Sequence, residues 1–260
     1  MKRFLILFKL EYGRIFAPLL ILIAVMAVLQ TVLFTWRFTR ASGIGSLSFF
    51  IESAGVHIVF AFAFMCLLAL VATSLAMNYM PSKSMYALLT LPVKRSHVYL
   101  SKLSAALIAG FMLISAQMLL LLLFSLFMRI PVTCVPFLRD RFTDDFELIR
   151  RSADLYLSLL DVGFLRILFP PNVFSLMFSI AGLFGSLCVT LYFVTKIISG
   201  GNKIEAIIAV AFWLGLLLVT FPLHDGSLGR NVFCLIMMAA LSIVSCFEGI
   251  KYFVSGEVAP

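Results

Sequence analysis

Charge is what this chain has least of. Only 12% of its 260 residues are Asp, Glu, Lys or Arg, against roughly 25% in an ordinary soluble domain. That shortage excludes a water-facing surface over most of its length. The three histidines (His57, His97, His224) are scattered, and the five cysteines (Cys66, Cys134, Cys188, Cys234, Cys246) contain no CxxC pair, so the usual spacings of metal and redox sites are missing. Four of the cysteines fall inside apolar runs, where a thiol packs as a small hydrophobe. Cys134 alone lies at an expected outer surface, where it has no second cysteine to bridge to. There is no H-E-x-x-H, no G-x-S-G and no pair of aspartates inside an apolar run. The turn Ser199-Gly200-Gly201-Asn202-Lys203 lacks the P-loop pattern. These absences argue against an enzyme, and against a metal or cofactor held by this chain.

Apolar residues make up 63% of the chain, and its mean hydropathy is +1.12. Six stretches run almost without charge for the length of about 20 residues that crosses a hydrocarbon core roughly 30 Å thick. The expected spans are Ile15 to Trp36, His57 to Met80, Lys102 to Met128, Asn172 to Ile198, Ile204 to Leu223 and Asn231 to Phe253. The predicted fold class is all-α integral membrane, with residues 1–260 as a single transmembrane domain. No room remains for a separate catalytic domain. Trp36 suits an interfacial position at the end of the first span, and Trp213 falls mid-span, where it is expected to pack between helices.

The N-terminus begins Met-Lys-Arg and turns apolar at once, but Lys9, Glu11 and Arg14 interrupt the run too early for a signal peptide. Residues 1–16 read as a retained interfacial amphipathic helix. Phe4, Leu5, Phe8, Tyr12, Ile15 and Phe16 share its apolar face, and Lys2, Arg3, Lys9 and Arg14 lie on the rest of its circumference.

The net charge of +8 belongs mainly to helix ends, where it meets lipid headgroups rather than nucleic acid. Six spans put both termini on one side. With cytoplasmic termini, the inner face holds Lys2, Arg3, Lys9, Arg14, Lys83, Lys94, Arg95, Lys102, Lys196, Lys203 and Lys251, and the short outer loops hold only Arg37, Arg40 and Arg230. The connection over residues 129–171 adds Arg129, Arg139, Arg141, Arg150, Arg151 and Arg166 outside. This connection contains an amphipathic helical pattern that starts after Thr143 and stops at Pro170 and Pro171.

Within the spans, the polar groups are Gln30, Gln117, Asn78, Glu205 and Glu248, with small hydroxyls such as Ser115 and Thr190. A buried amide there either joins two helices or faces a substrate path, so Gln117 and Gln30 are the candidate path residues. Glu205 and Glu248 lie near inner span ends, within reach of the interface or of Lys203 and Lys251. No chain of ionisable groups crosses the bilayer, as ion-coupled transport would need. Any transport energy must then come from another chain.

The most informative polar segment is the inner connection between spans two and three, Met80-PSKSMYALLTLPVKRSHVYLSKL. Met85, Leu88 and Leu89 fit a short amphipathic helix that ends near Pro92. Lys94 and Arg95 follow it, and Lys102 stands at the mouth of span three. An apolar element held at a cytoplasmic face and flanked by cations invites a protein partner. The stretch YALLTLPVKRSHVYLSKLSAAL resembles the segment joining spans two and three of ABC-2-type transporter permeases, with Leu88, Leu91, Pro92, Val93, Arg95, Tyr99 and Lys102 at the matching positions. The six-span plan and basic amphipathic N-terminus resemble the same family. Where many members carry an acidic residue and a glycine before this helix, the chain reads Pro81-Ser82-Lys83-Ser84.

The resemblance implies a membrane subunit of an ATP-binding-cassette exporter in a bacterial plasma membrane, paired with a second permease subunit, identical or homologous. Each permease would rest on a cytoplasmic ATPase that binds the ATP and Mg. Tyr86, Leu88, Leu89, Leu91 and Pro92 would form the docking helix, with Val93, Lys94, Arg95, Tyr99 and Lys102 as its flank. The apolar surfaces favour amphipathic cargo such as peptides, antibiotics or lipids. The rival reading is a scaffold or sensor whose inner loop recruits a signalling protein.

Overall fold

The computed structural model describes residues 2–40, 47–79, 95–129, 173–198, 203–220 and 228–255. Among the described residues there are seven helices and no strand: α1 Lys2–Arg40, α2 Leu47–Ser53, α3 Val56–Tyr79, α4 Arg95–Arg129, α5 Val173–Ile198, α6 Lys203–Thr220 and α7 Leu228–Ser255. In hydrocarbon an unmet backbone N–H or C=O costs several kcal/mol, and a helix pairs these groups within its own segment. Five of the helices (α1, α3, α4, α5 and α7) are long and apolar enough to cross a bilayer. The chain is thus a multi-pass membrane protein by helix length and composition. Within α6, Ile204–Gly215 is a shorter apolar helix.

No separate N-terminal helix is present. The expected break near residue 16 is absent, and α1 continues from Lys2 to Arg40 with Pro18 inside it. Proline cannot donate to the carbonyl four residues back, yet membrane helices tolerate it because nearby groups re-satisfy that carbonyl. At about 1.5 Å per residue, α1 extends about 58 Å, roughly twice a hydrocarbon core. One helix is therefore long enough both to span and to project.

The inward face of its N-terminal part also differs from the expected one. Leu7, Glu11, Ile15 and Leu19 are buried, whereas Leu5 and Phe16 of the supposed apolar face are exposed. In lipid the outward residues are the apolar ones, so the inward face is free to carry a charge that finds a partner.

The chain divides into two compact units, Met1–Leu19 with Cys66–Phe111 and Met177–Pro260, and Leu20–Met65 with Met112–Leu176. In the first, Trp213 of α6 is buried against Val189 of α5 and Met238 of α7. Its indole N–H donates to Ser186 Oγ at 3.2 Å. A Cβ at Gly185 would collide with this indole and with Ser242 Oγ, so only glycine leaves room for the ring. Trp213 thus packs between helices, as its mid-span position implies.

In the second unit the core is aromatic. Phe34 stacks on Phe124, with ring centroids 4.4 Å apart. Phe38 meets Phe50 at 5.5 Å and Phe127 at 5.6 Å. Short α2 buries Leu47, Phe50 and Ile51, spaced to share one helical face. The α2–α3 turn is made by Gly55, whose φ is 68°. Its N–H donates to the Glu52 carbonyl at 3.0 Å, and its carbonyl accepts from Ile58 N–H at 3.0 Å. The same residue closes α2 and starts α3.

An alanine at position 55 has space, because the nearest atom to its Cβ would be Ile58 Cδ1 at 3.7 Å. Its whole penalty is the left-handed backbone, about 1–2 kcal/mol. Gly55→Ala should lower thermal stability in detergent by that amount, and Gly55→Asn, which tolerates this conformation better, by less. Equal losses in the two variants would show that the conformation is not what costs.

Candidate functional site

Of the residues singled out in the sequence, Tyr86, Leu88, Leu89, Leu91, Pro92, Val93 and Lys94 lie outside the described residues, as does the connection over residues 129–171 except Arg129, which ends α4. Arg95 opens α4. Tyr99, Lys102, Gln30 and Gln117 are described, and all four are buried.

Lys102 does not present its ammonium as an exposed flank. It reaches Glu11 of α1, with Nζ donating to Oε2 at 2.9 Å. Glu11 is 1% exposed and Lys102 5%. The second carboxylate oxygen faces Arg14 Nη1 at 3.7 Å, from a side chain that is 43% exposed. A carboxylate inside apolar surroundings is tolerable only when paired, and this one carries a buried cation on one oxygen and a half-exposed cation near the other. α4 approaches through small residues, since Ser101, Ala105, Ala106 and Ala109 are all buried around this level. One turn earlier, His97 makes an edge contact with Phe4, ring centroids 6.4 Å apart. Sequence reasoning passed over Glu11 as a partner. The available signal was its place on the Leu7, Ile15 and Leu19 stripe.

Tyr99 is fully buried. Its ring lies against Gly249 of α7, where a Cβ would meet the phenol oxygen and Cζ. The start of α4 is thereby tied to α1 by an ion pair and to α7 by a ring on a glycine.

Two further ion pairs lie in the same unit. Lys196 near the end of α5 bonds Glu205 in the first turn of α6 at 2.7 Å. Glu248 and Lys251 stand 3.9 Å apart on exposed α7 surface. In the first pair Lys196 is buried and Glu205 is 57% exposed, while the exposed second pair is worth about 0–1 kcal/mol.

Gln30 and Gln117 are the only glutamines in the chain, and they bond to each other. Gln30 Nε2 donates to Gln117 Oε1 at 2.8 Å and turns toward the Val56 carbonyl at 3.4 Å. Both side chains are 0% exposed. One amide thus touches the first residue of α3 and the middle of α4 from α1. Among the described residues, Gln30 Oε1 and Gln117 Nε2 have no hydrogen-bond partner. A buried polar group left so costs about 1–3 kcal/mol.

No family model, curated protein or solved structure matches this chain. Its functional reading therefore comes from its own residues. Among those described, no group of three or more His, Cys, Asp or Glu is arranged to hold a metal ion. What the described polar groups do is bind helix to helix.

Removing one member of a buried ion pair leaves its partner uncompensated, at about 3–5 kcal/mol, whereas apolar replacement of both is often nearly neutral. Glu11→Leu alone should lower the unfolding temperature in lipid nanodiscs sharply, and Glu11→Leu with Lys102→Leu should recover most of the loss. A double variant that is worse than either single one would show that the pair is not coupled as its geometry implies.

Proposed function

We propose that this chain is a permease subunit of an ABC-2-type exporter, moving amphipathic cargo outward with ATP hydrolysed by a separate cytoplasmic subunit. The observation that carries the reading is the stretch Tyr86-ALLTLPVKRSHVYLSKL, which resembles the coupling segment of such permeases and runs directly into α4. Any push on that stretch meets α4 at its start. There Tyr99 is packed on Gly249 of α7, and Lys102 is bonded to Glu11 of α1. Movement of the α4 start is passed to those two helices instead of being absorbed in a loose joint.

In this reading α6 is also a span, the fifth of six. Its 18 residues extend about 27 Å, close to the thickness of a hydrocarbon core. Both termini then lie in the cytoplasm of a bacterial cell, two permease subunits associate, and each rests on an ATPase. ATP binding by that partner supplies the differential contacts that a change of state requires.

Purification from native membranes in mild detergent tests the class. A stoichiometric ATP-binding-cassette ATPase should co-elute, and Leu91→Asp should reduce its recovery at least about tenfold, since a charge would enter an apolar contact. Membrane insertion of the variant should be unchanged. Retention of the ATPase by Leu91→Asp would place the contact elsewhere. Recovery of a kinase or regulator with no ATPase would replace transport by the scaffold reading.

Reporter fusions give a second check on the span number. Tags at both termini should be protected in sealed right-side-out cells and accessible after permeabilisation. One protected and one accessible terminus would reduce the crossings to an odd number.

A further inference from the structure

Gln30 and Gln117 meet through one hydrogen bond when two side-chain amides can make two. Gln30 Nε2 is held by Gln117 Oε1 at 2.8 Å and by the Val56 carbonyl at 3.4 Å. That double acceptance orients the Gln30 amide and leaves its Oε1 as an acceptor. The same bond occupies Gln117 Oε1 and leaves Nε2 as a donor. Among the described residues neither atom has a partner, and both side chains are wholly buried. Each unmet atom is two covalent bonds from an atom of the 2.8 Å contact.

The geometry points to a binding position at Gln30 Oε1 and Gln117 Nε2 for one neutral group that donates and accepts a hydrogen bond, either a buried water or a primary amide of the cargo. Neutrality follows from the pair itself. Two uncharged amides offer no counter-charge to an ion that would have to leave its hydration shell. A water meets the two atoms with one proton and one lone pair, and a primary amide does the same along the edge where its N–H lies beside its C=O. The amide source rests on the export reading above. The water source does not.

The chain's two glutamines make the test unusually direct. Protein labelled with ¹⁵N only at glutamine side chains, held in lipid nanodiscs, gives two amide signals, and Gln30→Leu identifies which is Gln117. Wild-type protein is then examined for magnetisation transfer from water to Gln117 Nε2, before and during titration with acetamide, a small primary amide.

Transfer that persists unchanged through the titration establishes a resident water. A saturable shift of the Gln117 signal, with loss of the water transfer, establishes the amide, and Gln30→Leu should weaken that binding at least about tenfold. Absence of both water transfer and shift would overturn the proposal. Gln117→Leu, which leaves only the Gln30 signal, gives the same assignment independently, so one misfolded variant does not blunt the test. The readout does not involve the ATPase, so a failed co-purification and a failed binding position remain separate results.

Discussion

A carboxylate 1% exposed and an ammonium 5% exposed, 2.9 Å apart, set the terms for the first unit. Neither group can be left alone in apolar surroundings, and neither can rotate away without exposing the other to the same penalty. The pair therefore fixes which side of α1 faces α4. Once Glu11 is inward, Leu7, Ile15 and Leu19 follow it one turn apart, and the rest of the helix circumference turns outward. Small residues on α4 allow the close approach that a direct bond needs, and His97 against Phe4 extends the same register by a turn.

The second unit meets the same demand with neutral groups. An amide pair does not carry the penalty of an uncompensated charge, and each amide offers more donors and acceptors than one bond consumes. The ionic node uses one carboxylate oxygen for Lys102 and faces the other toward Arg14, whereas the amide node keeps capacity in reserve. Around the amides, the stacked rings of Phe34 and Phe124 and the edge contacts of Phe38 hold the helices by area rather than by direction.

How far the sequence was legible follows from which solvent each residue meets. The runs expected at His57 to Met80 and Asn172 to Ile198 match α3 and α5 to within a residue, because an unbroken apolar run in lipid has one low-cost backbone conformation. The inward face of α1 was not legible by amphipathicity, since Leu5 and Phe16 face outward for the same reason a soluble helix would bury them. Helix α2 escaped notice because its 7 residues make barely two turns. Gln30 and Gln117 were visible as costly amides, but not as partners far apart in the chain. Glu205 pairs with Lys196, nine residues back in the chain, because the end of α5 lies beside the start of α6. The proposed docking residues Tyr86 to Lys94 fall outside the described residues.

The indole of Trp213 sits over a glycine that has no room for even a methyl group, with its N–H bonded to the adjacent Ser186 and Ser242 closing the other side. A bulky plate held in a notch of that kind works as a key in a keyway. Sliding α6 along α5 would first have to lift the ring clear, breaking its hydrogen bond and opening a void in a close-packed interior. Helices α5, α6 and α7 are consequently expected to travel as one rigid stave, leaving any hinge to the parts of the chain that lack such a key.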